Sequence, residues 1–227
     1  MAQWLLEHSL ILLLAAGTVF TFIWQMCLKD TLRIKWYAAL IISVLHTMVG
    51  VLLVTAFAFM ESGFDTESLG NMSLFGAVLF MPLFYWLGAK MTKRSAAKVF
   101  DCYTICMIFT LMCARINCLF AGCCQGLVIP GTDGLHWPTR QAEILFYIVL
   151  LIFLGRRVLA GKTGGEIYPI YMFTYGGFRF VIEFFRYTSI QLGIFHISHI
   201  WAVISFCIGL SVYIEFEQKM KKKKIRR

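Results

Sequence analysis

Seven stretches of this 227-residue chain are apolar and long enough to cross a bilayer as helices, at about 9–27, 36–60, 72–91, 101–122, 141–158, 165–185 and 196–216. That pattern leaves few folds open. In lipid each backbone N–H and C=O must be satisfied within its own segment, so the spans are helices. The expected fold is all-α: a polytopic membrane protein forming one integral domain over residues 1–227. Composition agrees, with 59% hydrophobic and 15% charged residues, against about 25% charged in soluble domains. The sixth stretch is the least regular, because it carries Glu166, Pro169, Arg179 and Glu183. The first lacks both a basic leader and a small-x-small cleavage site, and reads as a retained signal anchor.

Charge orients the spans. Lys29, Arg33 and Lys35 follow the first, Lys90, Lys93, Arg94 and Lys98 the third, and Arg156, Arg157 and Lys162 the fifth. A basic tail at about 217–227 follows the seventh. The alternate loops are acidic (Glu61, Asp65, Glu67) or neutral (Tyr187 to Phe195). The positive-inside rule then puts the N-terminus outside and the C-terminus in the cytoplasm. The +9 net charge owes much to the tail residues Lys219, Lys221, Lys222, Lys223, Lys224, Arg226 and Arg227. Directly after a span, such a cluster suits anionic lipid head groups, so no nucleic-acid partner is expected. Most of the eight cysteines fall in apolar segments, where a thiol behaves as a small hydrophobe, so this is not a secreted disulfide framework.

Topology does not explain Arg115, Arg140, Arg179 and Arg186, which lie in or at the outer edge of apolar stretches. A guanidinium at a helix centre costs roughly 2.5–3.5 kcal/mol on insertion scales and stays charged. It should meet a carboxylate, a polar cavity or an anionic ligand. Arg179, Glu183 and Arg186 stand at i, i+4 and i+7, on one helix face with Tyr175 a turn earlier. Glu183 would neutralise one arginine and leave the other free. Gly176 and Gly177 suit close helix packing better than room for a lipid chain. Arg115, Cys118, Gly122 and Gly126 follow roughly one stripe, where small residues would open space beside the guanidinium.

Two readings stand side by side. One is a structural ion-pair ladder. The other is an outer-leaflet site in which Arg115, Arg140, Glu143, Arg179, Glu183 and Arg186 gather around a phosphate. A turn-rich loop from Cys123 to Arg140 lies on the same side. His136, His196 and His199 should lie there too, each a candidate base, whereas His46 reads as a hydrogen-bonded core residue. The adjacent Cys123 and Cys124 leave a nucleophilic, redox or metal role open. No His–Cys spacing has a zinc pattern, so neither metal nor other cofactor is expected.

Three elements resemble the prolipoprotein diacylglyceryl transferase family: Ala114-Arg115-Ile116-Asn117-Cys118 through Gly122-Cys123-Cys124-Gln125-Gly126, Pro138-Thr139-Arg140-Gln141-Ala142-Glu143, and Tyr175-Gly176-Gly177-Phe178-Arg179 through Glu183-Phe184-Phe185-Arg186. They occur in family order, over about residues 70–215. The resemblance implies a multi-pass enzyme of the bacterial cytoplasmic membrane. It would transfer a diacylglyceryl group from phosphatidylglycerol to the lipobox cysteine thiol of a prolipoprotein signal peptide. Arg115 and Arg179 would hold the phosphate and stabilise its departure, with Glu143, Glu183 and Arg186 orienting them. The chain departs from the family pattern in three places: Cys118 and Cys123 replace polar residues, Trp137 precedes Pro138, and Phe75 stands where the family has histidine. The thiol's base would then be His136 or His199. A related transferase with another acceptor and a non-catalytic phospholipid-binding protein are the alternatives.

Overall fold

The structure, a computed structural model, describes residues 8–68, 71–186, 191–192 and 195–225. Among these residues it is all-helical apart from small β pairings. The long helices are α1 (Ser9–Cys27), α2 (Trp36–Glu61), α3 (Phe75–Met91), α4 (Ala96–Phe120), α5 (Thr139–Leu159), α6 (Ile167–Glu183) and α7 (Ile197–Ile225). A single turn, Lys29–Leu32, joins α1 to α2. Strands β1 (Gln191–Leu192) and β2 (Phe195–His196) pair antiparallel just before α7. Tyr187 to Ile190, Gly193 and Ile194 of the expected neutral loop, and Arg226 and Arg227 of the tail, lie outside the described residues.

Four helices among the described residues are long and apolar enough to cross a membrane: Ser9–Cys27, Trp36–Glu61, Ala96–Phe120 and Ile197–Lys222. Three of the seven expected spans fall short for physical reasons. α3 and α6 have only 17 residues each, and α5 carries Arg140, Glu143, Arg156 and Arg157. The outer surface is nonetheless apolar, with Ile11, Val19, Leu52, Leu83, Leu145 and Ile152 all exposed. Polar side chains turn inward instead, among them Thr21, Gln25, Ser43, His46 and Asp101. Water selects the opposite arrangement, so this surface suits lipid.

α4 is the central helix, 67% buried over its span window against 22% for α1 and for α7. Its second turn ties it to α6. The Asp101 carboxylate accepts the backbone N–H groups of Gly165 (2.7 Å), Ile167 (3.0 Å) and Tyr168 (3.2 Å). These are orphan donors at the start of α6, capped here by a side chain some 65 residues away in sequence. At the same end Arg157 of α5 donates to Glu166 at 2.9 Å. α6 and α7 share an extensive contact, with Gly176 pressed against Ala202 and Phe206; a Cβ there would collide with their backbone. Gly176 therefore serves close packing, as expected.

A neutral polar cluster links α1, α2, α3 and α4. Gln25 Nε2 donates to Ser43 Oγ at 2.8 Å, and Tyr103 OH donates to Gln25 Oε1 at 2.8 Å. Tyr85 OH donates to the Tyr103 carbonyl at 3.3 Å and accepts from His46 Nε2 at 2.9 Å. His46 is thus a hydrogen-bonded core residue.

Candidate functional site

Three of the four expected arginines, Arg115, Arg179 and Arg186, converge. Arg115 leaves the last turn and a half of α4, Glu143 the first turns of α5, and Arg179 and Glu183 the last two turns of α6. Arg115 Nε pairs with Glu143 Oε2. The other Glu143 oxygen receives Arg179 at 3.0 Å. Arg179 reaches Glu183 Oε2 at 2.9 Å with its second terminal nitrogen, and Arg186 reaches that same oxygen at 3.2 Å. The result is one alternating chain, Arg115–Glu143–Arg179–Glu183–Arg186, across three helices. Three guanidiniums against two carboxylates leave one positive charge in excess.

Two expectations change here. Glu183 does not leave one arginine free; its Oε2 serves both Arg179 and Arg186, because i+3 and i+4 neighbours meet on one face. Nor does an open hollow separate Arg115 from Arg179. They share Glu143 and are 4% and 3% exposed. The aromatic ring of Phe75 covers Arg179, with Cζ 5.2 Å from its centroid, in cation–π geometry. Tyr175 packs edge-on against the same ring at 5.8 Å. The accessible end of the chain is Arg186, whose side chain is 11% exposed.

Several polar atoms beside this chain have no hydrogen-bond partner among the described residues. They include the hydroxyls of Tyr147 and Tyr175, Nε of Arg179 and of Arg186, and Glu183 Oε1. Tyr147 lies one turn after Glu143, and Tyr175 one turn before Arg179, so both face the ion chain. Buried polar atoms are nearly always paired in native proteins. Five such atoms gather in and beside the ion chain.

Gly122 and Gly126 do not continue the Arg115 stripe. α4 ends at Phe120, and Gly122 at φ +70° forms the left-handed turn just beyond it. Gly126 pairs with Arg186 in a backbone bridge. A Cβ on it would strike the Trp137 carbonyl, so its smallness permits two backbones to approach and opens no space beside a guanidinium. Arg140 stands apart from the ion chain. Its Nη1 donates to the carbonyls of Cys118 and Cys123, each at 3.3 Å, which favours the negative end of the α4 dipole.

His136 is exposed, and its Nδ1 donates to the Gly126 carbonyl at 2.7 Å. His199 is buried among Phe180, Phe184 and Phe195, and its Nδ1 accepts the His196 backbone N–H at 3.0 Å.

The fold also assembles a group that spacing does not reveal. The sulfurs of Cys118, Cys123 and Cys124 all lie within 4.8 Å of one another. Cys124 has a left-handed backbone, at φ +57°. A hydrogen bond from Cys118, with the Arg115 and Arg186 guanidiniums, outweighs burial and brings the Cys124 thiol well below its ordinary value. Burial, with the Cys124 charge alongside, pushes the Cys123 thiol up.

Comparison with known proteins agrees with these three elements. A family model described as prolipoprotein diacylglyceryl transferase matches residues 9–215. The chain is 30% identical over 137 residues to the phosphatidylglycerol–prolipoprotein diacylglyceryl transferase of Photobacterium profundum, covering 56% of this chain and 51% of that protein. The enzyme of the same name from Clostridium tetani is 25% identical over 135 residues, covering 53% and 54%. That from Chlorobaculum tepidum is 22% identical over 168 residues, covering 67% and 58%. The chain thus spans about half the length of these relatives. The matched region holds the whole ion chain and the cysteine loop, and the chain belongs to the prolipoprotein diacylglyceryl transferase family.

Proposed function

We propose that this chain transfers a diacylglyceryl group from phosphatidylglycerol to the lipobox cysteine thiol of a prolipoprotein. In this reading it sits in the bacterial cytoplasmic membrane with seven spans, N-terminus outside and C-terminus in the cytoplasm. The observation that carries the reading is the buried Arg115–Glu143–Arg179–Glu183–Arg186 chain with its one excess positive charge.

The chemistry asks for such a charge. Phosphatidylglycerol carries one negative charge in its phosphodiester. Attack of the thiolate on the glyceryl carbon forms a C–S bond and breaks the C–O bond, and the electron pair leaves on glycerol phosphate. Negative charge on the phosphate therefore grows along the reaction. Fixed guanidiniums in a water-poor site stabilise that growth without reorganising. Arg186, at the accessible end, meets the head group first; Arg179 and Arg115 supply the forks behind it. Of the two histidines, His136 is better placed as base. Its Nδ1 faces the Gly126 carbonyl, which leaves the Nε2 lone pair for a proton, while the Nδ1 lone pair of His199 already accepts a backbone N–H.

The test is lipidation of a prolipoprotein in cells depleted of their own transferase. The intact chain should restore a thioether-linked product. Arg179→Ala, at equal protein level, should lose at least about 100-fold, as removal of one charge-stabilising donor does. A second reading draws on the Phe75 ring over Arg179 and the near-complete burial of both guanidiniums. A chain closed in this way would hold phospholipid without transferring it. Phospholipid retained by the purified protein, with no lipidated product in those cells, would establish that reading instead.

A further inference from the structure

We propose that Cys118, Cys123 and Cys124 form a binding site for a thiophilic d10 cation, Zn2+ or Cu+, with one coordination position open to an incoming thiol. The three sulfurs lie within 4.8 Å of one another. Tetrahedral zinc with Zn–S of about 2.3 Å needs sulfurs about 3.8 Å apart. Side-chain rotation supplies the remaining contraction, since Cys123 and Cys124 lie in a loop and only Cys118 is on a helix.

The backbone around the group is held from several directions. Arg140 bridges the carbonyls of Cys118 and Cys123 at 3.3 Å. The Cys123 thiol donates to the Cys118 carbonyl at 3.8 Å. Cys124 keeps a left-handed backbone, which costs a non-glycine residue about 1–3 kcal/mol. That conformation turns its side chain toward Cys118.

Charge fits the same guest. A divalent ion with three thiolates carries one net negative charge. Arg140, bridging the loop carbonyls, offsets it. Among the described residues no further histidine, cysteine or carboxylate joins the group. Cys123 is exposed, so the group can be reached from outside the protein. A site with three protein ligands and one open position is the catalytic form of zinc coordination, as opposed to the closed structural form.

A thiol entering that position gives its proton to solvent and stays bound as a thiolate. If the transfer reaction proposed above holds, this is how the acceptor cysteine is activated beside Arg115. The sulfur pair then forms the C–S bond as the C–O bond breaks, with no change of oxidation state. His136 is dispensable in that case.

The experiment is metal titration of the full chain, purified in detergent and fully reduced, with Co2+ as the spectroscopic probe for the zinc position and Cu+ in parallel. One equivalent should produce a thiolate-to-cobalt charge-transfer band. An added small thiol should shift the ligand-field bands. Cys118→Ser or Cys124→Ser should weaken binding beyond the about 10–100-fold that outer-shell changes cost. Cys27→Ser and Cys207→Ser, at exposed cysteines elsewhere, should leave it unchanged. Should a serine variant fail to fold, alkylation of the unaltered protein answers the same question. Zn2+ should protect Cys118, Cys123 and Cys124 and leave Cys27 and Cys207 reactive.

No charge-transfer band at one equivalent overturns the site, as does equal metal uptake by the serine variants. So does a spontaneous disulfide among the three that abolishes uptake in the oxidised protein while the reduced protein takes none. Metal binding without lipid transfer would sink the proposed reaction and leave the site standing. Lipid transfer by a metal-free chain would leave both the reaction and the site standing and overturn the metal's part in activating the acceptor thiol.

Discussion

Two of the buried polar clusters among the described residues are built differently. The cluster of Gln25, Ser43, His46, Tyr85 and Tyr103 is neutral, and its side chains satisfy one another apart from His46 Nδ1. The chain of Arg115, Glu143, Arg179, Glu183 and Arg186 carries five charges, and five polar atoms in or beside it have no partner among the described residues. The first holds helices together. The second does so at greater cost, since each buried ion loses several kcal/mol of hydration. Binding phosphate is a reason for the difference that packing alone does not supply.

The comparison breaks most sharply at Glu143, which touches both deep arginines. Glu143→Ala leaves Arg115 without its carboxylate and Arg179 with half of its pairing. Removing one partner of a buried pair costs about 3–5 kcal/mol, so thermal unfolding in detergent should show the largest loss of any variant here. Gln25→Leu in the neutral cluster should cost about 1–3 kcal/mol, as buried donors lose their partners, with bound phospholipid unchanged. A fall in phospholipid with Gln25→Leu would erase the distinction between the clusters.

Tyr175→Phe sharpens the contrast from the other side. Its hydroxyl has no partner among the described residues, so unfolding should move by no more than about 0.5 kcal/mol. Phospholipid retention should fall several-fold. The smallest effect concerns Cys124. Its thiol is held below the ordinary value, so the thiolate persists as pH drops through about 8.5, where a free cysteine protonates. Its alkylation rate should stay flat from pH 8.5 to 6.5. A tenfold slowing per pH unit across that range would contradict the assignment.

Much of this was legible in sequence because apolar runs and stranded charges are local signals. Among the described residues the long helices fall where the apolar stretches do, though only four are long and apolar enough to cross a membrane, and Arg115, Glu143 and Arg179 meet at one end of α4, α5 and α6. What stayed hidden depends on distance in the chain. Nothing near Asp101 announces that it caps α6. The Cys118–Cys123–Cys124 group requires a left-handed cysteine that no propensity predicts. The sharing of Glu143 between Arg115 and Arg179 is a matter of helix register, which spacing within one helix does not fix. Gly122 and Gly126 misled because α4 stops at Phe120, and beyond it a helical stripe has no meaning.

The central claim is that the buried guanidiniums hold a lipid phosphate. It is tested most directly by weighing the phosphatidylglycerol that stays bound to the purified chain, by native mass spectrometry, for the unaltered protein and for Arg179→Lys. Lysine keeps the charge but not the planar fork. The account predicts bound lipid in the first and at least a tenfold loss in the second, with both folded. Equal lipid in both would mean that Arg179 serves only to tie α6 to α5.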